Sequence, residues 1–296
     1  MNAVVNTSPP GVNLPAADVK GLTGPKVCLM GLGGTGKTYA LGTLADWAAA
    51  NQFELAILFT ENGLESFLGY FRDAGREPPA GVFWHQQVTR PIALKTLMLT
   101  AENVGKLSYE ALAKSIDPNR GGESNAFWKI LQSCSNFIDD RTGKTLGPID
   151  AFPRTRIFAM DSLTETANAA MKMQIGSRPM ASPGDYGVAQ NNLMNFLRLA
   201  TQGMECPFVM TAHVDRETDA VTQSTKVMIK AIGKALATEI PTLFSDVIYT
   251  TREADKWYWD LAAYGVDVKS RSLPYRSKLA PDFGQIFDIW KKRTGA

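Results

Sequence analysis

Histidine and cysteine are scarce in this chain of 296 residues, which contains two histidines and three cysteines. The cysteines, Cys28, Cys134 and Cys206, are odd in number, lie far apart and form no C-x-x-C pair. Neither a disulfide framework nor a zinc knuckle is therefore indicated. This cysteine usage favours a reducing cytoplasm.

Long apolar runs and a strong charge of one sign are also missing. No stretch approaches the roughly 18 consecutive apolar residues of a membrane-spanning helix, and residues 1–20 have neither the basic front nor the apolar run of a secretory signal. Lys and Arg total 31 against 29 Asp and Glu, a net charge of +2 that by itself indicates no nucleic-acid or membrane partner. We expect a cytoplasmic globular protein without a membrane partner.

Short β-like runs alternate with helical stretches from about Gly24 onward. Residues 1–22 contain three prolines and few large apolar side chains, and they predict a flexible leader. Residues 23–296 predict a single α/β domain with a mostly parallel sheet flanked by helices. A polar, partly helical insertion is expected at about 90–150, and a polar loop at 214–234. Near the end, DVIYTTRE, KWYWDL and VDVKSRSL predict a strand, its β-hairpin partner and a further edge strand.

Residues 31–38 read GLGGTGKT and match the Walker A pattern between an apolar strand and a helix. Its glycines let backbone N–H groups surround a phosphate chain, and the helix N-terminus adds partial positive charge. Lys37 is expected to reach the outer phosphates of ATP, and Thr38 to ligate Mg²⁺. The expected nucleotide contacts are Gly31, Leu32, Gly33, Gly34, Thr35, Gly36, Lys37, Thr38 and Tyr39.

Asp161 ends the apolar run RIFAMD and is the candidate for a second magnesium ligand. Magnesium in these sites needs a carboxylate at the carboxyl edge of a neighbouring buried strand. The residue directly after Asp161 is Ser162 rather than a carboxylate that could act as a base. The group that activates the attacking water must therefore come from elsewhere. Glu61 follows the predicted strand 55–60 and would emerge at the same edge. A helix-start carboxylate is the alternative for Glu61, and Glu165 is the competing base.

Three segments, TENGLES, MDSLTE and TAHVDRE, together resemble the RecA core. This resemblance implies a RecA-like P-loop ATPase in which Glu61 is the catalytic glutamate and Asp161 holds magnesium. It also implies that His213 senses the γ-phosphate from the end of a strand inserted between the two Walker strands. A buried histidine satisfied by a backbone carbonyl is the alternative for His213.

Further segments, DYGVAQ, IGKALATEIPTLFSDV and DVKSRSLP, make the chain similar to phage-encoded, AAA-family RecA-core ATPases grouped with single-strand-annealing recombinases. That resemblance implies DNA-stimulated ATP hydrolysis and ATP-dependent binding of single-stranded DNA in annealing or recombination. It implies a homo-oligomer, ring or short filament, in the cytoplasm of an infected bacterial host. A phage single-strand-binding protein is the further partner it suggests.

The same resemblance assigns roles to several basic residues. Lys269 and Arg271 match a Lys-x-Arg finger with which several RecA-type oligomers reach a neighbour's γ-phosphate, and a solvated basic strand edge is the alternative. Segments 172–187 and 214–234 match the two DNA-binding loops. The expected DNA contacts are Lys172, Arg178, Tyr186, Arg216, Lys226, Lys230 and Lys234.

Two other functions remain open. One is a hexameric helicase or translocase motor with the same core, and the other is an oligomeric regulatory switch that does not bind DNA. In the second case the basic segments would be a solvated face. The aromatic run Trp257, Tyr258 and Trp259 is interpreted as hairpin packing rather than as a base-stacking platform.

Overall fold

The computed structural model describes residues 23–88, 94–103, 108, 125–175, 181–218 and 225–295. The predicted leader 1–22, part of the insertion at 90–150 and the candidate DNA contact Arg178 lie outside the described residues. Within the described ranges, none of the helices combines the length and apolar character needed to span a bilayer.

A central β-sheet organises the described chain. The strands, in chain order, are β1 (Lys26–Gly31), β2 (Glu54–Phe59), β3 (Val82–Gln86), β4 (Phe137–Ile138), β5 (Thr145–Gly147), β6 (Arg156–Asp161), β7 (Phe208–Ala212), β8 (Val214–Thr218), β9 (Thr225–Ile229), β10 (Asp246–Glu253) and β11 (Lys256–Asp260). The described part of the main sheet has seven strands in the order β11-β10-β1-β7-β6-β2-β3. Its neighbours are parallel, except for the antiparallel hairpin β10–β11. The predicted α/β fold with a mostly parallel sheet and a C-terminal hairpin is confirmed.

Helices cover both faces of this sheet. The α-helices of the described residues are α1 (Lys37–Ala50), α2 (Leu64–Asp73), α3 (Leu94–Asn103), α4 (Ala126–Ser135), α5 (Leu163–Ile175), α6 (Pro183–Arg198), α7 (Lys234–Leu243) and α8 (Gly284–Thr294). Of these, α1, α2 and α4 to α8 contribute buried residues to the cores on the two faces. Alternate residues of β1 belong to different cores: Val27 packs in the core that includes α1, α2 and α8, whereas Cys28 packs in the core that includes α4 to α7. All six residues of β1 are buried, as expected for a parallel strand covered on both faces.

The strand order brings the strand ends that carry candidate site residues to one edge of the sheet. β7 lies between β1 and β6, which is the insertion that the resemblance implies. At the carboxyl edge, Gly31 ends β1, Asp161 ends β6, and His213 follows β7. Ligands of open α/β sheets bind at this edge.

Two loop and strand predictions near the C-terminal half are wrong. Within the predicted loop 214–234, residues 214–218 and 225–229 form the antiparallel hairpin β8–β9. Most of β8 is exposed, so its polar sequence resembles that of a loop. Residues 266–273, predicted as an edge strand, make only isolated bridges, from Val266 to Val227 and from Lys269 to Val247. The chain turns away there because the buried Asp246 carboxylate accepts hydrogen bonds from Ser270 Oγ and the Arg271 N–H.

The insertion expected at 90–150 is helical only in part. Its described residues include α3 and α4, but also the two-stranded sheet β4–β5. Buried Asp139 accepts hydrogen bonds from the N–H groups of Trp84 on β3 (2.9 Å) and Thr142 in the turn (2.8 Å). This carboxylate therefore fastens the small sheet to the edge of the main one.

Candidate nucleotide-binding site

Residues 31–38, the P-loop, join the end of β1 to the start of α1. Gly34 and Gly36 have φ values of 75° and 78°, in the left-handed region that glycine adopts without strain. A Cβ on Gly31 would lie 2.1 Å from Oγ1 of Thr250 on the neighbouring strand β10. The glycines therefore supply both the curvature of the loop and its close approach to β10.

Lys37 is folded onto the P-loop and almost completely buried. Its Nζ donates to the carbonyl oxygens of Gly31 (3.0 Å) and Leu32 (2.8 Å). Burial lowers the pKa of Lys37, although the carboxylates of Asp161 and Glu61 act in the opposite direction. An ammonium group held by two carbonyls can exchange these bonds for stronger ones to phosphate oxygens.

Thr38 and Asp161 form the candidate magnesium site. Thr38 Oγ1 donates to Asp161 Oδ2 (2.8 Å), and Thr211 Oγ1 donates to the other carboxylate oxygen. Asp161 is fully buried, and burial together with the Glu61 charge raises its pKa to about 6. A Cβ on Gly63 would lie 2.3 Å from Asp161 Oδ2, so glycine is what lets the backbone approach the carboxylate this closely. A hydroxyl and a carboxylate fit Mg²⁺, which prefers oxygen ligands and keeps waters and substrate phosphates.

Glu61 lies beside this pair because the ends of β2 and β6 are hydrogen-bonded together. The Thr60 N–H donates to the Asp161 carbonyl (2.7 Å). Thr60 Oγ1 also donates to the Ser162 carbonyl (3.0 Å) and accepts from the Ser162 N–H (2.9 Å). These bonds hold the peptide before Glu61 against the end of β6.

Glu61 also faces His213, whose Nε2 lies 3.4 Å from Glu61 Oε2. Burial raises the pKa of Glu61, but hydrogen bonds from His213 and Ser162 and the charge of Lys37 outweigh it and hold this pKa below its ordinary value. Glu61 is therefore ionised at neutral pH and can accept a proton. The competing candidate, Glu165, instead accepts a hydrogen bond from Asn168 (3.0 Å) and does not line the cavity.

Lys37, Thr38, Glu61 and His213 line one cavity of about 600 Å³, whereas Asp161 is fully buried and is bonded to Thr38. Its wall includes Trp257 on β11, a residue that sequence reasoning assigned to hairpin packing alone. That interpretation fits Trp259, which is fully buried, whereas Trp257 Nε1 donates to the carbonyl of Gly34 in the P-loop (3.1 Å). Trp257 and Trp259 are two positions apart on β11, so their side chains lie on the same face of the sheet. This two-residue spacing was the sequence signal that the two tryptophans belong to one face.

Sequence reasoning also missed Gly63, Thr211 and Thr250. The first two adjoin the Asp161 carboxylate, and Thr250 Oγ1 lies 2.7 Å from Thr35 Oγ1 in the P-loop. No local motif marks them, because their roles depend on which strands become neighbours.

The predicted finger residues lie at the opposite edge of the sheet from the P-loop. Lys269 bridges to Val247 near the start of β10, and its Nζ donates to the Thr242 carbonyl (3.3 Å). Arg271 follows at the same edge, where its N–H is bound by Asp246. Neither residue lines the nucleotide cavity of its own subunit, and a role at a neighbour's site stays a prediction.

The described candidate DNA contacts are divided between α5, α6, the hairpin β8–β9, the residue that follows β9 and the start of α7. Three lysines pair with carboxylates: Lys226 with Asp267 (3.5 Å), Lys230 with Asp215 (3.9 Å), and Lys234 with Glu217. These exposed ion pairs reduce the local positive charge. The remaining described candidates are Lys172 on α5, Tyr186 on α6 and Arg216 on β8.

The sheet order and the P-loop define a P-loop NTPase core with a RecA-like arrangement. Neither a protein-family model nor a curated protein matches the chain. Among solved structures, the chain is similar to an ATPase from the type III secretion system of pathogenic bacteria, with 15% sequence identity and a TM-score of 0.39. The match covers 78% of this chain and 53% of that chain, so this protein spans about half of that ATPase's length.

Proposed function

We propose that this protein is a Mg²⁺-dependent ATPase whose hydrolysis cycle controls binding of single-stranded DNA in phage-type annealing or recombination. The main support is the contact between Glu61 and His213 in the cavity that Lys37 and Thr38 also line, with Thr38 bonded to the buried Asp161. A base, a phosphate-binding lysine and magnesium ligands are the parts that phosphoryl transfer to water requires.

In the proposed mechanism, the P-loop N–H groups and Lys37 would bind the triphosphate, and Thr38 and Asp161 would hold magnesium. Bound Mg²⁺ would neutralise charge on the outer phosphates. Glu61 accepts the proton of the attacking water and orients that water toward the γ-phosphate. His213 holds the Glu61 carboxylate and contacts the departing phosphate.

His213 connects this chemistry to the hairpin β8–β9. Its N–H donates to Thr164 Oγ1 (3.0 Å), and its carbonyl accepts from the Lys230 N–H at the end of β9 (2.8 Å). Val214, the next residue, begins β8. A shift of His213 on loss of the γ-phosphate would therefore move both ends of the hairpin.

The proposed DNA surface combines this hairpin with the first half of α6. Gln190 on α6 donates to the Ile232 carbonyl beyond β9 (2.8 Å), which joins the two elements. Exposed Arg216 would bind backbone phosphate, and exposed Tyr186 would stack on a base. Lys172, Arg178, Lys226, Lys230 and Lys234 complete the proposed set.

We further propose a homo-oligomer, as a ring or short filament, with a phage single-strand-binding protein as a partner. Lys269 and Arg271 lie at the edge of the sheet opposite their own P-loop, so they would reach only the nucleotide of a neighbouring copy. Such a finger would make turnover depend on protein concentration.

A second candidate is an ATP-driven regulatory switch whose hairpin binds protein rather than DNA. The ion pairs of Lys226, Lys230 and Lys234 favour it, because they neutralise much of the charge that a phosphate backbone would need.

ATP turnover with and without a single-stranded oligonucleotide separates the two candidates. We would measure it at several protein concentrations and at low and physiological salt, with Lys37→Ala as the blank. Stimulation by DNA that rises with protein concentration supports the first proposal. Turnover indifferent to DNA at every salt concentration would favour the switch.

Glu61→Gln tests the assignment of the base. It should retain ATP binding and lose turnover by about 10²- to 10⁴-fold, the usual contribution of a general base. Undiminished phosphate release would remove Glu61 from the mechanism.

A further inference from the structure

Two aromatic rings form one wall of the nucleotide cavity beyond the phosphate-binding residues. The ring centroids of Tyr39 and Trp257 lie 4.6 Å apart at an interplanar angle of 48°. Tyr39 directly follows Thr38 in the first turn of α1, and both rings line the cavity. The hydrolysis chemistry proposed above uses neither ring.

Both rings are held in position by the surrounding structure. The indole of Trp257 lies against Gly36, where a Cβ would come within 2.6 Å of it, and its Nε1 is hydrogen-bonded to Gly34. Tyr39 packs edge-on against Tyr70 at 5.1 Å. A pre-positioned aromatic surface loses little conformational entropy when a flat ligand binds.

Another part of the cavity lining leaves room for such a ligand. It is formed by α2, where a Cβ on Gly69 would meet only Arg72 Nη2 at 3.6 Å. Asp73 lines the same wall, and its carboxylate is a hydrogen-bond acceptor. Burial and the nearby Asp73 charge raise the pKa of Tyr39, so its hydroxyl stays protonated and can donate.

We propose that Tyr39 and Trp257 form the platform on which the purine base of the bound nucleoside triphosphate stacks. The inference rests on the proposed nucleotide-binding function and specifies which chain elements select the base. A purine is favoured because it has the larger π-surface to cover two rings, and its amino group can donate to Asp73. The base would then connect α1 to the hairpin β10–β11.

The test compares ligands that share the phosphate chain but differ in the base. Affinities for ATP, GTP, CTP, UTP and inorganic tripolyphosphate are measured with Mg²⁺ by calorimetry for the wild type, Trp257→Ala, Trp257→Phe and Tyr258→Ala. Tyr258 is the matched control, since it is the adjacent aromatic residue on β11 and does not line the cavity.

We expect Trp257→Ala to weaken ATP and GTP binding by roughly 5- to 150-fold, the range for loss of one base–aromatic stack. Tripolyphosphate affinity should be unchanged, Trp257→Phe should retain most of the ATP affinity, and Tyr258→Ala should match the wild type. ATP should also quench tryptophan fluorescence in the wild type but not in Trp257→Phe.

Other outcomes would overturn the proposal in distinguishable ways. If Trp257→Ala lowers the affinities for ATP and tripolyphosphate equally, Trp257 only stabilises the P-loop through its hydrogen bond to the Gly34 carbonyl. Unchanged ATP affinity and quenching in the variants would place the base elsewhere. A wild-type protein that binds neither ATP nor tripolyphosphate would refute the nucleotide site itself.

Discussion

The charge on Asp161 should make the nucleotide-free protein less stable at neutral pH than it would be with an uncharged side chain at this position. Asp161 is fully buried, and burial together with the neighbouring Glu61 raises its pKa from 3.8 to about 6. One pKa unit corresponds to about 1.4 kcal/mol, so the rise from 3.8 to about 6 corresponds to about 3 kcal/mol. The folded state loses this full free energy only above about pH 6, where the carboxylate is ionised in the folded protein as well.

The sign of the pH dependence follows from the direction of the shift. Below pH 3.8 the group is protonated in both the folded and the unfolded chain and has no effect. Between pH 3.8 and about 6 the unfolded chain ionises while the folded protein keeps its proton, so this group's contribution to the free energy of unfolding falls. Above that range the loss is constant.

Asp161→Asn removes the charge and keeps an acceptor for Thr38 or Thr211. Its free energy of unfolding, relative to the wild type, should rise by about 2 kcal/mol between pH 4 and pH 7. Urea denaturation in EDTA without nucleotide measures this difference, and any pH-independent effect of altered hydrogen bonds cancels from the trend.

A second background isolates the contribution of Glu61. With Glu61→Gln present, the same Asp161→Asn comparison should show a smaller rise, because the Glu61 charge helps to raise the pKa of Asp161. In the background with Glu61 intact, a stability difference between Asp161→Asn and the wild type that stays constant or decreases from pH 4 to pH 7 would refute the argument.

Three further variants probe the site. Gly63→Ala places a methyl group against the Asp161 carboxylate, so it should raise the Mg²⁺ concentration needed for tight ATP binding. A magnesium titration of ATP binding measures this change. Gly187→Ala is the control in the same titration, because a Cβ at Gly187 meets no atom within 4 Å. Lys37→Ala should weaken ATP binding roughly 10- to 100-fold, the range for hydrogen bonds to a charged group, and unchanged affinity in calorimetry would contradict its role. His213→Ala should keep ATP binding but lose any stimulation of turnover by single-stranded DNA, and persistent stimulation would exclude it as the link to β8–β9.

Local sequence was sufficient for the features whose determinants lie close together in the chain. The P-loop depends on glycines and a lysine within residues 31–38, and its flanking strand and helix are visible from their apolar patterns. Strands buried on both faces, such as β1 and β6, have continuous apolar sequences that predict them directly. Exposed β8 has the sequence VDRET, which hydropathy alone does not distinguish from a loop.

The sequence by itself therefore determined the α/β class, the position of the phosphate-binding loop and a short set of candidate residues for magnesium and water. The resemblance to the RecA core also implied a strand between β1 and β6. Only the tertiary structure decided that His213 lies against Glu61, that Gly63 lies close to the Asp161 carboxylate, and that Trp257 reaches the P-loop. The physical reason is that these contacts join residues more than 90 positions apart, and strand order and register, rather than any local pattern, bring them together.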